Sequence, residues 1–233
     1  MFSGGYMIYM VIGGILSLIG MFVQRRLQSK FNHYSQIGLR SNMTGAEVAQ
    51  AMLRHYGIYD VKVVAASGFL TDHYNPADKT VNLSEPVYNA RTISAAAVAA
   101  HECGHAVQHA TAYSMLQLRS SVVPAVKVAS GVNQFLLPIA IMAISSFPSL
   151  LMISVVALAV TTFFSLVTLP VEFDASRRAL VWLEEARVMQ GEEHDGAKDA
   201  LWWAAMTYVA AALSVIVTLL YLVLMLMGAR RDD

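Results

Sequence analysis

Apolar positions crowd into long unbroken runs, and three stretches carry no Asp, Glu, Lys or Arg: residues 1–24, 128–171 and 200–229. A helix that crosses a bilayer takes about 20 apolar residues. The first and last runs each accommodate one crossing. The middle run accommodates two, with Ser145-Ser146-Phe147-Pro148-Ser149 as the turn between them. The pattern predicts spans near 5–24, 123–145, 150–170 and 203–227. The first of these lacks a basic N-terminal flank and a small-x-small cleavage site before Arg25, so it reads as an uncleaved anchor.

Between the runs the patterning is that of a small α+β unit. Thr44-Gly45-Ala46-Glu47 has the spacing of a capping box and opens a short helix with Val48, Met52 and Leu53 as its apolar stripe and Gly57 as its stop. Val61–Ala65 reads as a strand, Asn75-Pro76-Ala77-Asp78 as a turn and Thr80–Leu83 as a second strand. An alanine-rich helix is predicted from Ser94 to Arg119, with Pro124 breaking or kinking the chain before the second span. The expected fold is mainly α: a polytopic membrane helical protein of about four spans with a small cytoplasmic α+β unit. The expected segments are span one at 1–24, the α+β segment at 25–122, the helical hairpin of spans two and three at 123–170, a cytoplasmic helix at 171–202, and span four with a short tail at 203–233.

Composition supports this division. Of 233 residues 56% are hydrophobic and 14% charged, against about 25% charged in ordinary soluble domains, and the mean hydropathy is +0.51. The formal net charge is zero, which gives no sign of a nucleic-acid partner. A single cysteine, Cys103, forms no internal disulfide and fits a reducing compartment. Basic residues orient the spans: Arg25, Arg26 and Lys30 follow the first, and Arg177, Arg178 and Arg187 follow the third, so both ends are expected on the cytoplasmic side. Arg230 and Arg231, placed outside by this count, weigh mildly against it.

The alanine-rich helix contains His101-Glu102-Cys103-Gly104-His105, an H-E-x-x-H sequence. Histidines four apart share a helix face and reach one zinc ion, while Glu102 beside them can take a proton from water activated by the metal. Two such histidines and a glutamate on an otherwise small, apolar helix would be costly to bury without a partner. A hydrolytic zinc site has three protein ligands and an open position. The third candidate is Glu172, which on a helix shares its face with Ala175, Ser176, Ala179 and Leu183. Asp174 falls on another face, where Arg177 and Arg178 pair with it, and reads as a surface ion pair. His109 continues the histidine stripe but lies about 12 Å along the axis from His101, too far for one metal to bridge. It is placed in a supporting or substrate-contacting role, or as an interfacial side chain.

Several segments carry a family resemblance. The His101–His105 motif with Glu172 in Pro170-Val171-Glu172-Phe173-Asp174-Ala175-Ser176 is similar to the gluzincin pattern. Asp72-His73-Tyr74-Asn75-Pro76, Leu83-Ser84-Glu85-Pro86-Val87-Tyr88-Asn89 and Ala99-Ala100-His101-Glu102 resemble the bacterial YugP-type neutral zinc metallopeptidases, from roughly Asn32 to Ala179. The resemblance implies a Zn2+ peptidase in the bacterial plasma membrane, related in plan to the HtpX and CAAX-prenyl-protease groups. Those groups carry Glu-aromatic-x-Ala-Asp, whose Asp supports a zinc-bound histidine. Here Ser176 stands in that last position, so the support falls to Ser176 or to another residue.

The expected reaction is peptide-bond hydrolysis in membrane-protein or misfolded-protein substrates, with Zn2+ on His101, His105 and Glu172 and Glu102 as general base. His73, Tyr74, His109 and Arg177 are candidates for stabilising the oxyanion, and spacing does not choose among them. The Thr80–Leu83 strand is a candidate edge for an extended substrate. His33, His55 and His194 are expected in solvent, Glu184-Glu185 and Glu192-Glu193 on an exposed acidic surface, and Trp202 and Trp203 at a membrane interface. The alternatives are a zinc-binding scaffold or regulator without hydrolysis, and a transporter. The transporter is weakened by the near absence of charge in the spans.

Overall fold

The computed structural model describes residues 4–68, 71–144 and 146–229. Ser145 of the predicted turn, Met1–Ser3 of the first segment, and Arg230–Asp233 lie outside them. The elements are α1 (Gly4–Tyr34), α2 (Gly45–His55), β1 (Lys62–Ala66), β2 (His73–Asn75), β3 (Thr80–Ser84), α3 (Glu85–Tyr88), α4 (Ile93–Ala110), α5 (Ser114–Met142), α6 (Pro148–Glu185) and α7 (Glu192–Ala229). The chain divides into two compact units. One holds residues 1–23, 118–169 and 207–233, and the other residues 24–117 and 170–206.

Among the described residues four helices are long and apolar enough to cross a membrane: Tyr6–Tyr34, Ser114–Met142, Pro148–Glu185 and Glu192–Gly228. They overlap all four predicted spans; the second starts before its span and ends at Met142, short of the predicted 145, while the others run beyond theirs at the charged end. The first unit is built from their apolar parts. Ala140, Ile141, Leu151 and Leu222 form its buried cluster, while Phe135, Met142 and Leu224 stay exposed as an apolar surface suited to lipid.

The second unit has a conventional core. Thr44 and Glu47 form the predicted capping box at the start of α2, and Gly57, at φ 69°, closes its end. The stripe of Val48, Met52 and Leu53 packs with Val81, Leu83, Val87, Trp182, Leu183 and Met189 around α4. Each such side chain contributes about 1.5–3 kcal/mol through burial. α4 sits at the centre: Ala95, Ala96, Ala97, Ala99, Ala100 and Ala106 are all buried, and their single methyl groups let neighbouring elements come close. Lys30 and Tyr34 at the end of α1 both hold Asp199 of α7, at 2.7 and 2.8 Å.

Three expectations are corrected. The helix predicted from Ser94 to Arg119 is two helices, and Pro124 lies inside the second. The break comes at Ala112, which adopts φ 52°. There Tyr113 N–H donates to Gln108 O (2.9 Å) and Ala112 N–H to His109 O (3.1 Å), the closure usually built on glycine. The Thr80–Leu83 segment is the central strand, not an edge, because the sheet order is β1-β3-β2. It pairs parallel with β1 and antiparallel with β2. Finally, Glu193 is buried rather than part of an exposed surface, because Arg40 N–H donates to its carboxylate at 2.8 Å.

Replacing Ala112 with glycine should relieve the left-handed conformation and raise stability by about 1 kcal/mol. An increased Tm of the detergent-solubilised protein checks this. A lowered Tm would mean that the Ala112 methyl contributes more by packing than its backbone costs.

Candidate metal centre

α4 presents His101 and His105 one turn apart, and the stretch of α6 after Pro170 presents Glu172 to them. Glu172 is 2% exposed. Its Oε2 lies 3.4 Å from Nε2 of His101 and 3.4 Å from Nε2 of His105. One ligand atom from each residue falls within 4.8 Å of the others. The helices approach because Gly104, between the histidines, has no side chain: a Cβ there would lie 2.5 Å from Ala175 O. Ala175 follows Glu172 by three residues, so the contact point and the carboxylate are set on the same stretch of α6.

This donor set fits zinc. Tetrahedral zinc with bonds of about 2.0–2.1 Å needs ligand atoms about 3.3–3.4 Å apart, which is the separation of the carboxylate oxygen from each imidazole. Electrostatics agree. Burial acts to lower the His105 pKa, yet the Glu172 and Glu102 carboxylates hold it above its ordinary value, so the field at the ring favours a cation. Both imidazoles are anchored at Nδ1: His101 by Ser176 Oγ (3.1 Å) and His105 by Gln108 Oε1 (3.1 Å). Such contacts orient metal-binding histidines.

Glu102 is buried beside the pair, and its Oε2 accepts the Tyr74 backbone N–H at 2.9 Å. Strand β2 therefore runs next to the centre. The sequence pattern missed this strand because it is only three residues long and is followed by Pro76. The Tyr74 hydroxyl lies 2.8 Å from His109 Nδ1. Burial, then Asp60 and Asp78, raise the Tyr74 pKa, so the phenol keeps its proton. His73 is exposed with its Nδ1 2.7 Å from Thr71 O, and it does not join the cluster. Arg177 is exposed and pairs with Asp174 at 2.6 Å.

Asp174 differs from its expected surface role. Its side chain is 11% exposed, and besides Arg177 and Arg178 it accepts a hydrogen bond from Gln108 Nε2 at 2.9 Å. Gln108 itself was not singled out in the sequence. The available signal was an uncharged polar residue three positions after His105 on a helix of small apolar residues. Cys103 points away from the centre into the core, with Sγ 3.5 Å from Ala49 O.

The model of a family described as "Putative neutral zinc metallopeptidase" matches residues 7–227. A protein of Bacillus subtilis strain 168 named "Putative membrane protease YugP" is 40% identical over 215 residues, covering 92% of this chain and 95% of that protein. No solved structure gives a significant match.

Replacing Gly104 with alanine should force α4 and α6 apart at a cost of about 1–3 kcal/mol. Because the displacement falls between the histidines, zinc affinity should drop at least about tenfold while most helicity remains. Zinc titration against a chromophoric chelator, alongside circular dichroism, checks this. An unchanged affinity would show that the spacing tolerates a methyl group.

Proposed function

The chain belongs to the neutral zinc metallopeptidase family, and from that premise we propose that it is a multi-pass plasma-membrane metalloendopeptidase of gluzincin type. In this reading it cleaves membrane-protein or misfolded-protein segments on the cytoplasmic side. The observation that carries this reading is the convergence of the Glu172 carboxylate on both Nε2 atoms, with the buried Glu102 on the same helix.

His101, His105 and Glu172 would hold the zinc. When bound, the ion supplies Lewis acidity toward water and the scissile carbonyl. Ser176 Oγ accepts the Nδ1–H of His101, leaving Nε2 as a lone pair toward the site. Glu102 accepts the proton of the attacking water and returns it to the leaving amine. Its orientation for this is set by the Tyr74 N–H, which engages one oxygen. The pair of Tyr74 and His109 offers a neutral donor beside the site and is the best supported of the candidates for the developing oxyanion. The engagement of Glu102 by β2 favours an enzyme over a scaffold, because a metal held only for structure has no use for an oriented carboxylate beside it.

Sidedness rests on the basic clusters at Arg25, Arg26 and Lys30 and at Arg177, Arg178 and Arg187.

Glu102→Gln should retain zinc and lose about 10²–10⁴-fold of peptide cleavage, measured on purified protein with an unfolded membrane-protein substrate. A chelator should abolish wild-type cleavage and added zinc restore it. Cleavage by the variant at the wild-type rate would reject the mechanism. A cysteine introduced at Tyr59, which is 81% exposed, should react with an impermeant maleimide only after cells are opened. Labelling of intact cells would overturn the cytoplasmic placement.

A further inference from the structure

Gln108 is a completely buried polar side chain (0% exposed), and it has no part in the reaction described above. Its amide reaches in three directions. Oε1 accepts the hydrogen bond from His105 Nδ1 at 3.1 Å. Nε2 donates to Val171 O at 2.8 Å and to Asp174 Oδ2 at 2.9 Å. Val171 directly precedes Glu172, and Asp174 follows it by two residues, so the amide holds a backbone carbonyl on one side and a side-chain carboxylate on the other side of the residue that meets the histidines.

The orientation of this amide is determined by its surroundings. A carbonyl and a carboxylate only accept, so both must face the NH2 group, and Oε1 is left to face the imidazole. An amide oxygen cannot donate. The His105 Nδ1 must therefore carry the proton, and Nε2 presents the lone pair that binds a metal. Reversing the amide would set an oxygen against the Asp174 carboxylate. Asp174 is itself held by Arg177 Nη2 at 2.6 Å and Arg178 Nε at 2.5 Å.

We propose that Gln108 is a positioning residue of the metal site, which, backed by Asp174, selects the metal-binding tautomer of His105 and couples that histidine to the segment bearing Glu172. The inference rests on the ligand set proposed above. The two imidazoles have separate partners: Ser176 contacts His101, and the Gln108–Asp174 pair serves His105.

The test uses full-length protein in detergent, stripped of metal by chelation. Zinc affinity is measured by competition with a chromophoric chelator, and cobalt(II) reports the ligand geometry through its d–d absorption. Gln108→Met removes the acceptor at similar volume. It should weaken zinc about 10–100-fold and shift the cobalt bands, with the far-ultraviolet dichroism unchanged. Gln108→Glu keeps the acceptor but sets a carboxylate against Asp174, and it should also weaken binding. Adding Asp174→Asn to it returns an N–H donor across the same gap and should recover affinity to within about threefold of wild type. Wild-type affinity and an unchanged cobalt spectrum in Gln108→Met overturn the proposal. If that variant loses helicity, the paired exchange decides, and no recovery over Gln108→Glu alone overturns it. His105→Ala is the control. If it binds zinc as wild type does, the ligand set itself falls, whereas loss of zinc there with none in Gln108→Met rejects only the role of Gln108.

Discussion

The centre depends on how closely two helix backbones can approach. With no side chain at residue 104, Ala175 O comes within a distance that a Cβ would violate. That closeness matters because a glutamate side chain is short. Glu172 lies one turn before the contact on α6, and His101 and His105 flank it on α4, so the three donors meet only if the backbones nearly touch. The alanines along α4 extend the same logic to its other faces, where α2 and the sheet pack without large side chains in between.

Close packing of this kind places several ionisable groups out of water, where each is unfavourable unless paired. Each buried carboxylate near the centre has partners. Glu102 is held by a backbone N–H from β2, Glu172 faces two imidazoles, and Asp174 faces two guanidinium groups and an amide. The polar network is drawn from α4, α6 and β2, so it joins elements far apart in the sequence.

The sequence displays some of this and hides the rest for physical reasons. Charge-free runs revealed the four long helices, because membrane hydrophobicity is a property of composition over a window. The capping box at Thr44, the stop at Gly57 and the turn after Asn75 were legible because each is local chemistry. The spacing of His101 and His105 was legible from helix geometry alone, and Glu172 from the small, apolar face it shares. The end of α4 was hidden because Ala112 adopts a backbone conformation that its residue type does not advertise. The burial of Glu193 and the dual engagement of Asp174 were hidden because each depends on a partner distant in sequence, Arg40 N–H in one case and Gln108 in the other. The central position of β3 could not be read from its own residues, since strand order is a property of the assembled sheet.

The one sulfur in the H-E-x-x-H segment faces the core rather than the metal. Cys103 is completely buried, and burial pushes its pKa up, so it stays a neutral thiol. A thiolate would be both a strong zinc ligand and a target for peroxide. Packed as it is, this sulfur can neither capture the ion from the imidazoles nor be readily converted to a sulfenic acid. A metal held by the imidazoles and the carboxylate would thus keep its nitrogen and oxygen coordination through swings in redox state, although a cysteine stands two residues from each histidine.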